Sequence, residues 1–218
     1  GLYAYKWYYS YGDCSMSNIK LVHSGGNSVS LTTPDNNPSS NITFKLPQAD
    51  ASAEAVLKTD GSGALSFNPV EVDQWYLNQN ATAGTIPGTY WTRKLKIGTG
   101  MTVSQDANGR WVFPSTGIWR ISFAFASRPD QSDNVYLDIY TTADSYSSTT
   151  DYTRAQCGGN DTDVGRAQGS YQSVLFDVEN TSTHGLYFVC GSHGGSSYTQ
   201  GTHNPMTTTA MFERMGDT

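Results

Sequence analysis

Downstream of about residue 70, apolar and polar residues alternate along the chain with a period of two. Trp119, Ile121, Phe123 and Phe125 fall on one face of "GIWRISFAFAS", as do Val135, Leu137 and Ile139 in "NVYLDIYTT". Val174, Phe176 and Val178 repeat the pattern in "YQSVLFDVEN", and Leu186, Phe188 and Cys190 repeat it in "HGLYFVCGS". Successive side chains of a strand point to opposite faces, so this spacing predicts half-buried β-strands sharing one interior. "QWYLN", "YWTRKLKIG", "RWVFP" and "TTTAMFERM" read as further strands. Turn-forming residues separate the phrases: Ala-Asn-Gly at 107–109, Pro-Ser-Thr-Gly at 114–117, Gly-Gly-Asn at 158–160 and Gly-Gly at 194–195. Roughly eight to ten strands with turns this closely spaced predict an all-β jelly-roll sandwich.

The first 70 residues have a different character. "NIKLVHS" and "SVSLTT" flank a Gly-Gly pair suited to a tight connection, and "NITFKLP" follows. These phrases are too short and polar to form a core alone, and such segments gain stability by wrapping around identical neighbours. "LPQADASAEAV" reads as an extended or one-turn connector, because Pro47 removes a backbone donor and the Ala/Glu run is too short to hold a helix. In "LKTDGSGALSF", Asp60-Gly61 and Gly63 predict a turn between two β phrases. Five of the first eleven residues are Tyr, with no period that selects a face. That stretch reads either as a processed or upstream extension, since "MSNIKLVHS" from Met16 makes a natural start, or as an aromatic arm docked on another subunit. The expected organisation is thus an arm over 1–15, a β-rich docking collar over 16–70 and a jelly-roll head over 71–218.

Composition supports strands and turns. Only 15% of residues are charged, while Tyr, Thr, Gly and Asn are abundant. The aromatic content of 12% supplies apolar area for a core, which excludes disorder throughout. A formal charge of −6 and the lack of a Lys/Arg cluster argue against nucleic acid as partner. No apolar run approaches membrane-spanning length, and no leader with a basic start and apolar middle is visible. Cys14, Cys157 and Cys190 are an odd set at wide spacing, which suits free thiols better than a zinc site or a disulfide framework; one Cys157–Cys190 bridge is the alternative.

Two resemblances sharpen this picture. "GRWVFPSTGIWRISFAF" resembles the trimeric jelly roll of the tumour necrosis factor and complement globular-head superfamily, through Gly109, Phe113, Pro114, Gly117, Ile118, Trp119 and Phe123. The closing "TTTAMFERMGDT" is similar to the last core strand of that fold. Upstream, "MSNIKLVHSGGNSVSL", "NPSSNITFKLP" and "AVLKTDGSGALSF", in that order, resemble the stalk-and-collar phrases of structural proteins from tailed bacteriophages, especially marine ones. Together they imply a non-enzymatic virion surface protein: a homotrimer with itself as partner, joined to other capsid or tail proteins through its N-terminal zone. Its head would decorate the particle or contact a host glycan or protein. The alternative of the same fold is a secreted or cell-surface carbohydrate- or protein-binding module.

Candidate chemistry is sparse. No nucleophile elbow, phosphate-binding Gly loop or Cys/His pair suggests catalysis, and the expectation is no enzyme and no cofactor. A depolymerase acting on host glycans is the weakest alternative, since a carboxylate pair is defined by distance in space. His23, His184, His193 and His203 lack metal-ligand spacing, so no metal is expected. Asp161 and Asp163 in "GGNDTDVG", like Asp130 and Asp133 in "RPDQSDN", are weak calcium candidates without the full ligand series. The best binding candidates are loop aromatics: Tyr140, Tyr146 and Tyr152 around "TTADSYSSTTDY", and Tyr198 with His193 in "GSHGGSSYTQGTHNP". Exposed Tyr among Ser and Gly combines rigid apolar contact with adaptable hydrogen bonds and stacks on sugar rings.

Overall fold

The computed structural model describes residues 18–22, 24–32, 39, 43–49, 55–68, 70–129, 134–148, 151–158, 168–191 and 197–218. Residues 1–15, the Ala/Glu run at 51–54, His23, Asp130, Asp133, Asp161, Asp163 and His193 lie outside the described residues. So do the side chains of Tyr152 and Cys157.

Two hairpins come first. Strands β1 (Asn18–Val22) and β2 (Ser28–Thr32) pair antiparallel, as do β3 (Val56–Thr59) and β4 (Leu65–Asn68). The β3–β4 turn forms at the expected Asp60, whose carboxylate accepts the backbone N–H groups of Ser62 and Ala64 at 2.8 and 2.9 Å. That hairpin is tied to the chain's end: Lys58 donates to Asp217, and Arg214 donates to Asn68.

The remaining strands are β5 (Val72–Leu77), β6 (Gly84–Thr85), β7 (Trp91–Ile97), β8 (Thr102–Val103), β9 (Trp111–Val112), β10 (Gly117–Arg128), β11 (Asn134–Thr142), β12 (Asp151–Gly158), β13 (Gln168–Val178), β14 (Gly185–Gly191), β15 (Tyr198–Thr199) and β16 (Thr209–Gly216). They build two antiparallel sheets. The first runs β13-β10-β16-β5-β7 with β15 alongside β10; the second runs β12-β11-β14-β9-β8 with β6 alongside β14. Among the described residues the structure is all-β apart from one 3₁₀ turn, Gly88–Tyr90.

Every residue expected in the interior is buried there except Val174 and Phe176, which are half-buried and pack on its margin. The centre of the core is Trp111 of β9. Its indole meets Trp75 (5.0 Å between ring centroids), Trp91 (5.6 Å) and Phe212 (4.9 Å) of the first sheet and Phe188 (5.8 Å) of its own. The pairs with Trp75, Trp91 and Phe188 are edge-to-face, and such pairs add about 0.5–1.5 kcal/mol each beyond area burial.

"RWVFPSTGIW" is the crossing from one sheet to the other. β9 ends in the second sheet, Phe113 packs on Trp119 and Phe176, and the turn delivers the chain to β10 in the first sheet. Trp119 Nε1 donates to the Ser115 carbonyl (3.1 Å) and closes the turn. Gly117 stands at φ +135°, and a Cβ there would strike the Gly216 carbonyl and the Arg214 guanidinium. At one end of the core the buried Asp73 carboxylate is fully matched: Arg93 grips it at 3.0–3.2 Å and the Met101 N–H donates at 2.7 Å.

Cys190 is a buried free thiol donating to Thr199 Oγ1 (3.2 Å). Burial is the main cause that pushes its pKa up to about 12, so it is an inert packing residue at neutral pH.

Trp111→Ala should lower stability by about 3–5 kcal/mol, whereas Val112→Ala, its exposed neighbour, should change it by about 0.5 kcal/mol or less. Urea unfolding followed by far-UV circular dichroism measures both. Equal losses would mean that Trp111 is not the centre of the core.

Candidate functional site

Inward parity on β14 belongs to Leu186, Phe188 and Cys190, so Tyr187 faces out from the second sheet. Tyr140 of β11 is its cross-strand partner, and the two rings stack 5.3 Å apart at 10°. Tyr146 joins them from the β11–β12 loop, 6.3 Å from Tyr187. Arg110, just before β9, lays its guanidinium 4.7 Å from the Tyr146 ring centre. Arg110, Tyr146 and Tyr187, with Thr85 of β6 and Asn108, line an open polar cavity of about 180 Å³.

Two aspartate-centred turns hold the walls. Asp106 accepts hydrogen bonds from Ser104 Oγ (2.7 Å), the Asn108 N–H (3.0 Å) and Asn108 Nδ2 (3.2 Å). Those bonds, Ser104's first, hold its carboxyl below the ordinary carboxylate range. Asp144 accepts from Ser148 Oγ (2.6 Å), the Ser148 N–H (3.0 Å) and Thr142 Oγ1 (2.8 Å), with Ser148 the main cause of a pKa lowered to about 2. This second turn carries Ser145 and Tyr146 in the left-handed region, at φ 59° and 67°. That conformation costs about 1–2 kcal/mol per residue and persists only where the surroundings enforce it.

The enforcement continues at the ring. Tyr146 Oη donates to the Trp111 carbonyl at 2.5 Å, with the Leu186 carbonyl at 3.4 Å, and Thr142 Oγ1 accepts its N–H. Gly185 makes room for the phenol, because a Cβ there would collide with the Tyr146 oxygen and the Trp111 carbonyl. Burial pushes the Tyr146 pKa up to about 12 despite the opposing charge of Arg110.

No protein-family model matches the chain, and no curated protein matches its sequence. Solved structures do match. Eiger TNF from S. frugiperda superposes with a TM-score of 0.50 at 10% identity, over 69% of this chain and 96% of that one. Murine APRIL, crystallised at pH 5.0, superposes with a TM-score of 0.51 at 11% identity, over 67% of this chain and 99% of that one. The fold is a tumour-necrosis-factor-like jelly roll. Identities this low speak for the fold alone.

On this TNF-like scaffold the expected binding residues separate. Tyr140 and Tyr146 come together, bridged by Tyr187. Tyr140 and Tyr152 are strand residues of β11 and β12, paired with each other rather than placed in a loop. The Thr and Tyr around them favour pleated structure, so β11 runs on to Thr142 and β12 begins at Asp151. Tyr198 is half-buried in β15, opposite Arg128 of β10. Among the described residues, no group of three or more His, Cys, Asp or Glu is arranged to hold a metal ion.

Arg110, Asn108, Thr85 and Tyr187 escaped the sequence reading. One signal was available: Tyr187 is an aromatic at outward parity within an apolar strand. The others meet through cross-strand register and an Asx turn, which leave no periodic trace.

Further along the same face, the buried Asp138 is gripped by Arg154 at 2.8 and 2.9 Å, and the Arg154 guanidinium lies 3.7 Å from the Tyr136 ring centre. The outer face of the second sheet is therefore a band of tyrosines closed at both ends by arginines.

A pKa raised from 10 to about 12 means that folded Tyr146 keeps its proton where the unfolded chain has lost it. Its contribution is complete below pH 10 and fades as pH rises toward 12. Tyr146→Phe should flatten the fall in stability over that window, read by urea unfolding at a series of pH values. An unchanged slope would show that the phenol is not held as described.

Proposed function

We propose that the chain is a non-enzymatic surface protein of a tailed-phage virion, assembled as a homotrimer with its TNF-like head displayed outward. The observation that carries this reading is the outer face of the first sheet. Trp119, Ile121, Phe123 and Phe125 of β10 point into the core, so Arg120, Ser122 and Ala124 take outward parity, together with their register partners on β13 and β16, and Ser122 is covered by its neighbours. On that side Tyr171 and Leu175 are each 64% exposed, Leu95 is 63% exposed and Met215 is 54% exposed.

Large apolar side chains gathered on one sheet face mark an association surface. The face also carries an Arg120–Glu213 ion pair (2.7 Å) and a Ser122–Ser173 hydroxyl contact (3.1 Å). Both charge signs beside apolar groups suit contact with copies of the same surface under closed symmetry. The number three comes from the resemblance at "GRWVFPSTGIWRISFAF", and the virion setting comes from the upstream phrases of residues 16–70. In this arrangement residues 1–70 dock on capsid or tail proteins, and three heads offer the avidity that attachment to a host glycan or protein uses.

Light scattering coupled to size exclusion should give the mass of three chains. Leu175→Glu combined with Tyr171→Glu should reduce it to one chain with unchanged circular dichroism. A wild-type monomer at micromolar concentration would sink the trimer. Deleting residues 1–70 should abolish incorporation into particles while the head stays folded; a truncated chain that still enters virions would rule out the docking role.

A further inference from the structure

We propose that the cavity between Arg110 and Tyr187 is a binding subsite for a carboxylated sugar ring, with the acid group on Arg110 and an apolar ring face against Tyr187. This rests on the reading of the head as an outward-displayed attachment module, and it names the ligand chemistry.

The charge argument comes first. Arg93, Arg120, Arg154 and Arg214 each hold a carboxylate, on Asp73, Glu213, Asp138 and Asp217 respectively. Arg110 and Arg128 have no salt bridge among the described residues, and of these two it is Arg110 whose guanidinium rests on an aromatic ring, that of Tyr146, at a cavity wall. A guanidinium held over an aromatic face keeps N–H donors for a planar anion, and a carboxylate can accept two parallel bonds from it. The protein as a whole is acidic, with a net charge of −6, so this cation does not belong to a broad basic patch that would gather any polyanion.

The rest of the lining suits a sugar. Tyr187 offers an aromatic wall, backed by the stacked Tyr140. The Asn108 carboxamide spends Nδ2 on Asp106, and its carbonyl remains among the polar groups available to ring hydroxyls, as does the Thr85 hydroxyl. A volume of about 180 Å³ falls below the roughly 300–1,000 Å³ of pockets for drug-sized ligands, so the site takes one ring of a longer glycan. The two aspartate turns fix the walls before the ligand arrives, which lowers the ordering cost of binding. Location agrees: every lining residue belongs to the second sheet or its loops, so association through the outer face of the first sheet leaves the cavity open.

Isothermal titration calorimetry on the full chain tests this with four probes: methyl β-glucuronide, the methyl glycoside of N-acetylneuraminic acid, methyl β-glucoside and methyl phosphate. At least one acidic sugar should bind about tenfold or more tighter than the neutral glucoside. Arg110→Gln should erase that difference, and Tyr187→Ala should weaken acidic and neutral sugars alike. The proposal is overturned if neither acidic sugar binds saturably, if glucoside binds as well, if methyl phosphate binds more tightly than both acids, or if Arg110→Gln leaves affinity unchanged. Light scattering on the same samples separates the two readings. A trimer that ignores acidic sugars refutes only the subsite, whereas a monomer that binds them refutes only the assembly.

Discussion

Two aromatic side chains of the second sheet, Trp111 and Phe188, join it to the first. Trp111 belongs by hydrogen bonding to the second sheet, yet three of its four aromatic neighbours, Trp75, Trp91 and Phe212, come from the first. β9, the strand that carries it, is only two residues long, so side-chain packing rather than a long ladder holds it in place. The crossing "RWVFPSTGIW" can pass between the sheets because Trp111 anchors one end and the Phe113–Trp119 contact anchors the other. The register of β10 against β13 and β16 follows, and with it the choice of which β10 side chains look outward.

Charge is arranged with similar economy. Asp73 and Asp138 are almost wholly buried, and each is gripped by an arginine that also rests on an aromatic ring: Arg93 on Trp75, and Arg154 on Tyr136. A buried carboxylate without such a partner would cost several kcal/mol. These arginines are satisfied structural groups, which sets them apart from Arg110, where the same cation-on-ring arrangement occurs without the carboxylate.

The sandwich was legible because a pleat imposes period two and a two-sheet core imposes apolar residues on one parity. Residues 119–125, 135–139 and 186–190 obey both rules. β12 was missed because "DYTRAQCG" offers Ala155 as its one buried apolar side chain among those described, too little to show a face. β6, β8 and β15 span two residues each, which is too short for any period. For the site, the Tyr-rich segment pointed to Tyr140 and Tyr146 but misjudged the first as a loop residue. Arg110 and Asn108 carry no apolar pattern and reach the cavity only through the Asp106 turn, so nothing local marked them.

The bond from Tyr146 to the Trp111 carbonyl makes the cavity wall and the core anchor one mechanical unit. Anything seated against that wall leans on the strand that joins the sheets. Occupancy is therefore thermodynamically linked to the integrity of the whole sandwich, because a ligand held only by the folded form raises its stability by mass action. The same contact gives the sandwich a built-in optical reporter: the Trp111 backbone lies one hydrogen bond from the cavity wall, and its indole sits inside a cluster of tryptophans whose emission responds to small changes in packing.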